Sequence, residues 1–89
     1  MEFEWDGSKA ALNFAKHGVS FPYAVRVFLD PYRIEEEDPL DHWGETRHRV
    51  IGIAEGRLLF VAYTYRNDRI RVISARKATR NERRKYQEI

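Results

Sequence analysis

Two dipeptides, Glu55-Gly56 and Asn67-Asp68, constrain the fold of this chain more than any other feature. They separate three runs, 47–54, 58–65 and 70–77, that are dense in Val, Ile, Leu, Phe and Tyr. Connections of three and four residues built on these turn formers leave no length for a crossover, so the runs pair as neighbouring antiparallel strands. A sheet with an apolar face has to bury it against another layer. The material for that layer lies before residue 40 or after residue 77.

The N-terminal third supplies two helices. Residues 3–5 read as a short first strand. Asp6 caps a helix through Lys16, and Gly18 stops it. Ala11, Leu12, Phe14 and Ala15 give that helix an apolar side, while Asn13, Lys16 and His17 share a polar side. Ser20 caps a second helix with Pro22 in its first turn. Ala24, Val25, Phe28 and Leu29 fall at helical spacing and are expected in the core. Asp30-Pro31 ends this helix, since the residue before proline avoids helical geometry. Residues 32–36 read as an edge strand, given their acids and the Pro39 beyond. Residues 38–46 are irregular. Thr79 and Glu82 form a capping box that opens a last helix through about Glu88. The order is β-α-α-β-β-β-β-α. The expected fold is α+β, one domain over 1–89: N-terminal helices packed on an antiparallel sheet, with a short C-terminal helix.

Composition excludes several chemistries. The 89 residues include no cysteine, so disulfide and thiol chemistry are ruled out. The five glycines form no phosphate-cradling loop, and no G-x-S-x-G elbow occurs. His17, His42 and His48 lack H-x3-H or HExxH spacing, so neither a metal site nor a cofactor is expected. No apolar run approaches a membrane span. The acidic, apolar-poor start does not resemble a signal peptide, and a cytoplasmic protein is expected.

Charge points to a partner. Residues 1–45 hold four Lys/Arg and ten Asp/Glu, whereas residues 46–89 hold twelve and four. Twelve of the sixteen cations are Arg, the side chain that forks onto phosphate and stacks on bases. Such asymmetry suggests a polyanion, unless the halves fold together and neutralise each other. Strand alternation groups Arg47 with Arg49 and Arg71 with Lys77, and points Arg76 to the opposite side with Ser74. Glu45 is close enough in sequence to pair with one of these arginines. Arg80 lies on the last helix with Arg83, Arg84 and Lys85, the latter three read as solubility residues. Tyr86 follows Glu82 by one turn, positioned either to pack on the sheet or to stand beside the cations. Trp5 is expected in the core; Trp43, in the irregular loop, is open.

The ordered string of features resembles a known family. It comprises FEWD at 3–6, Asn13, KHG at 16–18, SF at 20–21 and F-x-D-P at 28–31. It continues with GETR at 44–47, IG at 51–52, YT at 63–64, and IRVISARKAT at 70–79 with Glu82 and Tyr86. This looks like the BrnT toxins of bacterial type II toxin–antitoxin modules. The resemblance implies a RelE-like fold and a ribonuclease that blocks translation. It also implies a BrnA-type antitoxin with a ribbon-helix-helix part, a dimer of toxin–antitoxin heterodimers, and contact with operator DNA only through the antitoxin.

Metal-independent RNA cleavage uses the RNA's own 2′-hydroxyl as nucleophile, so the protein has to align it, move protons and stabilise charge on phosphorus. The expected catalytic set is Arg47, Arg76, Glu45, His17 and Tyr86. Arg47 and Arg76, with Arg71, hold the phosphate, because arginine keeps its proton. Glu45, His17 or Tyr86 transfers protons. Lys16, Arg49, Arg71, Lys77 and Arg80 form the expected RNA-binding set. The same patch also suits a module that binds nucleic acid without cutting it, or one that docks an acidic protein.

Overall fold

The computed structural model describes residues 1–39 and 44–88. The readings of His42 and Trp43 fall outside them. The element order is β1 (Phe3–Glu4), α1 (Gly7–His17), α2 (Phe21–Ala24), a 3₁₀ segment (Val25–Leu29), β2 (Ile34–Glu37), β3 (Arg47–Ala54), β4 (Arg57–Arg66), β5 (Arg69–Lys77) and α3 (Arg80–Gln87). The five strands form one sheet in the order β1-β5-β4-β3-β2. Strands β2 to β5 pair antiparallel, as the turn dipeptides require. Strand β1 joins β5 in parallel, so the sheet is mixed rather than wholly antiparallel. Parallel neighbours need a long connection, and here most of the chain runs between them.

The local signals act where they stand. Glu55, Gly56, Asn67 and Asp68 all have positive φ, at 47°, 85°, 53° and 62°. These two-residue turns match the twist of the strands they join. Asp6 accepts from the Lys9 amide at 3.0 Å, and Gly18 closes α1 at φ 68°. Thr79 and Glu82 exchange both capping-box bonds.

One sheet face carries the core. Val50, Leu59, Val61, Tyr63, Val72 and Ala75 meet Val19, Phe21, Ala24, Val27 and Phe28 there. Gly52 lets the 3₁₀ segment approach, since a Cβ at that position would stand 3.1 Å from the Val27 carbonyl oxygen. Trp5 packs edge-on to Phe21 at the border of this core.

Two expectations about the helices are corrected. The α1 side turned to the sheet is Ala10, Asn13 and His17, while Leu12 and Phe14 are 71% and 56% exposed. Asn13 is drawn inward by three bonds. Its amide nitrogen donates to the Val19 and Ala75 carbonyls at 3.0 and 2.8 Å, and its oxygen accepts from the Ala75 amide at 3.1 Å. A satisfied amide is therefore the central contact between helix and strand. The second helix becomes 3₁₀ after Ala24, so the buried positions follow a three-residue period through Phe21, Ala24, Val27 and Asp30. Leu29, expected in the core, is 82% exposed.

Helix α3 lies on the other face. Tyr86 and Phe60 pack there against Ile51, Leu58 and Ala78.

Candidate functional site

The face turned away from α1 and α2 carries arginines in register. Arg47, Thr64 and Arg71 form one row across β3, β4 and β5. Arg49, Ala62 and Ser74 form the next, and Ile51, Phe60 and Arg76 the third. Strands lie about 4.8 Å apart, so Arg47 and Arg71 sit roughly 10 Å apart across the sheet. Ala62 and Ser74 keep the middle of the face low. A register shift lets Ala62 oppose Ser74 and Tyr63 oppose Val72, which leaves Ile73 as an extra residue. This bulge resets the alternation of β5. Arg71 and Arg76 consequently share a face, correcting the expectation that they point apart, and Lys77 falls in step with the opposite side.

Carboxylates from the edge strands flank these arginines. Arg71 Nη1 donates to Glu4 at 2.7 Å, and Arg49 Nε donates to Glu36 at 3.3 Å. Both pairs are directly opposite in the ladder. Lys85 of α3 also bonds Glu36. Arg76 places Nη1 and Nη2 on Glu82 at 2.8 and 2.9 Å. Much of the charge asymmetry between the halves is thus neutralised within the monomer. Arg47 differs: its Nε is buried and has no hydrogen-bond partner among the described residues. Glu45 does not pair with it but bonds Arg66 at 2.8 Å. That bond, with the nearby charges of Arg66, Arg47 and Arg71, holds the Glu45 carboxyl below the usual glutamate range.

Near α3 the face becomes a cleft of about 240 Å³. Phe60 and Ile51 line it together with Glu36, Arg49, Asn81, Glu82 and Lys85. The Arg76 guanidinium sits 4.1 Å from the centroid of the Phe60 ring. The Lys85 hydrogen bond, ahead of Arg49, holds Glu36 low and ionised. Burial opposes ionisation of Glu82, but bonds from Arg76 and the Thr79 amide outweigh it.

Of the other expected residues, His17, Lys16 and Lys77 do not join this face, whereas Arg80 and Tyr86 belong to α3, which packs on it. His17 and Lys16 end α1 in the opposite layer. Arg80 is exposed at the start of α3, and Lys77 is exposed at the end of β5. The Tyr86 hydroxyl donates to Asp30 at 2.6 Å. Burial, then that bond, pushes the phenol up to about 12. Sequence reasoning passed over Glu36, Glu82 and Lys85 as site residues. The Glu36 signal was present, because an acidic edge strand beside an arginine strand predicts cross-strand pairs. Among the described residues no group of three His, Asp or Glu side chains is placed to hold a metal ion. No described helix is long and apolar enough to cross a membrane.

Residues 5–82 match the family model described as the ribonuclease toxin, BrnT, of type II toxin–antitoxin systems. No curated protein matches the chain.

Proposed function

The chain belongs to the BrnT family of ribonuclease toxins of type II toxin–antitoxin systems, and from that premise we propose that RNA is held and cut on the arginine face of the sheet. The observation that carries this is the shared face of Arg47, Arg49, Arg71 and Arg76, set by the ladder and the Ile73 bulge. Cations fixed on strands are preorganised for the charge that develops on phosphorus. Arg47 and Arg71 stand in one row of the ladder, and each guanidinium carries further donors beyond the buried Nε of Arg47 and the Glu4 bond of Arg71, so these two bind the scissile phosphate. Arg49 holds the flanking backbone. Arg76 commits both terminal nitrogens to Glu82, so it contributes field and shape more than a direct phosphate bond.

Glu45 is the proton-transfer candidate nearest that row, since it senses both Arg47 and Arg71. Its lowered proton affinity makes it a weak base, which leaves charge stabilisation as the larger contribution. Tyr86 is engaged by Asp30, and His17 lies in the other layer. The chemistry needs no metal, because the nucleophile belongs to the RNA and the cations belong to the protein.

As a type II toxin it has RNA as target and an antitoxin as partner. The finer reading is a BrnA-type antitoxin, a dimer of heterodimers that reaches operator DNA only through the antitoxin, a RelE-like fold, and a cytoplasmic toxin that blocks translation. Exposed Leu12, Phe14 and Leu29 support a protein partner.

The test is cleavage of labelled RNA by purified protein in EDTA. Wild type is expected to cut. Arg47→Ala is expected to cut roughly a hundredfold more slowly while keeping its circular dichroism spectrum. Full activity in both Arg47→Ala and Arg71→Ala would remove the face from the mechanism. An RNA band that shifts without being cut would favour a binding module.

A further inference from the structure

The cleft beside α3 differs chemically from the arginine rows. A phosphate would meet Glu36 and Glu82 there, and the neighbouring cations are already bonded to those carboxylates. Its apolar lining is aromatic and aliphatic, from Phe60 and Ile51, which also pack together beside α3. Arg76 backs the Phe60 ring, and the two bonds it donates to Glu82 hold that guanidinium in place. A rigid, cation-backed ring suits stacking of a flat heterocycle.

Hydrogen-bonding capacity narrows the occupant. Glu36 accepts from Arg49 and Lys85, and an ionised carboxylate has about four acceptor positions, so part of its capacity is open. The Asn81 amide, also at the cleft, has no hydrogen-bond partner among the described residues. We propose that this cleft is a nucleobase subsite that selects guanine, with Glu36 accepting from the base and Phe60 stacking beneath it. Among the four RNA bases only guanine presents two adjacent donors, N1–H and the 2-amino group, on its Watson–Crick edge. A carboxylate accepts both at once. The O6 acceptor beside them suits the Asn81 amide or the Lys85 ammonium. Adenine, cytosine and uracil each leave one carboxylate oxygen facing an acceptor or nothing. The cleft adjoins the arginine rows through Arg49, so a base seated there fixes which phosphate reaches Arg47 and Arg71.

This proposal rests on the reading that the arginine face cuts RNA. The experiment uses purified toxin in EDTA and oligoribonucleotides that differ at one position only: guanine, inosine or adenine. Wild type is expected to cut at a fixed distance from the guanine. Inosine, which lacks the 2-amino donor, is expected to slow cleavage roughly tenfold. In Glu36→Gln the guanine and inosine substrates are expected to be cut at equal rates. Indiscriminate cutting by wild type, a preference for adenine, or a guanine-to-inosine ratio that survives Glu36→Gln overturns the subsite. If Glu36→Gln fails to fold, the wild-type comparison of the three substrates decides alone. The underlying reading fails differently, by undiminished cleavage in Arg47→Ala whatever the base preference.

Discussion

On the side facing α1 and α2, Val50, Leu59, Val61, Val72 and Ala75 are almost sealed from solvent. Behind them, on the same three strands, Arg47, Arg49, Arg71 and Arg76 remain half-exposed. Alternation along a strand lets one stretch of backbone serve both roles. The packed side holds the strands in register, and that register spaces the cations on the other side. The two sides should therefore respond to mutation in opposite ways: loss of stability on one, loss of activity on the other.

The largest contrast is expected between Phe21 and Arg47. Phe21 is fully buried in the core. Phe21→Ala should cost about 3–5 kcal/mol, out of the roughly 5–15 kcal/mol typical of a whole domain. Urea denaturation should show most of the protein unfolding early. Arg47→Ala should leave the midpoint nearly unchanged while cleavage falls. Equal loss of stability in the two variants would break the division between the faces.

A sharper version uses one helix. Asn13 bonds the backbone of Val19 and Ala75, whereas Leu12 beside it is mostly exposed. Asn13→Leu should lose at least about 2 kcal/mol, because three buried backbone groups lose their partner. Leu12→Ser should stay within about 0.5 kcal/mol. Thermal melts of the two variants check the inversion, in which the polar residue is the core residue and the apolar one is not.

That inversion marks where sequence ceases to be informative. The turns, the caps of α1 and α3, and the edge position of β2 were all legible, because each depends on residues a few positions apart. Asn13 reads as part of a polar side because its partner strand residue, Ala75, is sixty-two positions away. Helical spacing puts Leu29 in the core, but the 3₁₀ geometry does not keep that period. The parallel addition of β1 depends on pairing between chain ends. Strict alternation through Ile73 places Arg71 and Arg76 on opposite faces, and nothing local announces a bulge there. The arginines themselves could be named from sequence; their convergence and their carboxylate partners needed the ladder.

Acid should weaken both sides of the sheet together. Glu36 and Glu82 border the cleft, and Asp30 anchors the edge of β3 by accepting from the Ile53 amide at 2.8 Å. For Asp30, burial opposes ionisation, but bonds from Tyr86, Ile53 and Tyr32 outweigh it and hold the group low. A carboxyl held low when folded contributes its stability above its unfolded value and loses it as pH falls through the folded value. These three groups therefore contribute fully above the ordinary values of 3.8 for aspartate and 4.5 for glutamate, and lose the contribution as acid carries them below. The urea midpoint should be flat with respect to these groups between about pH 6 and 8 and decline below about pH 4. A Glu82→Gln variant should show a shallower decline.

The smallest expected effect is at Tyr86, the link between the two sides. Its ring packs on the arginine face with Ile51 and Phe60, while its hydroxyl reaches Asp30, the residue that ends the 3₁₀ segment of the other layer. Tyr86→Phe keeps the ring and removes one hydrogen bond, so the loss should be about 1 kcal/mol. Asp30 retains its bonds from the Ile53 and Tyr32 amides. With its phenol pushed up to about 12, Tyr86 stays protonated through neutral pH. Its stabilising bond is therefore fully present below 10 and lost only as pH rises towards 12. A tether predicts a modest change in cleavage rate with an unaltered pH profile. A proton donor predicts a fall of roughly a hundredfold or more. Cleavage by Tyr86→Phe, measured from pH 6 to 9, separates these outcomes and shows whether α3 contributes chemistry or only closes the cleft.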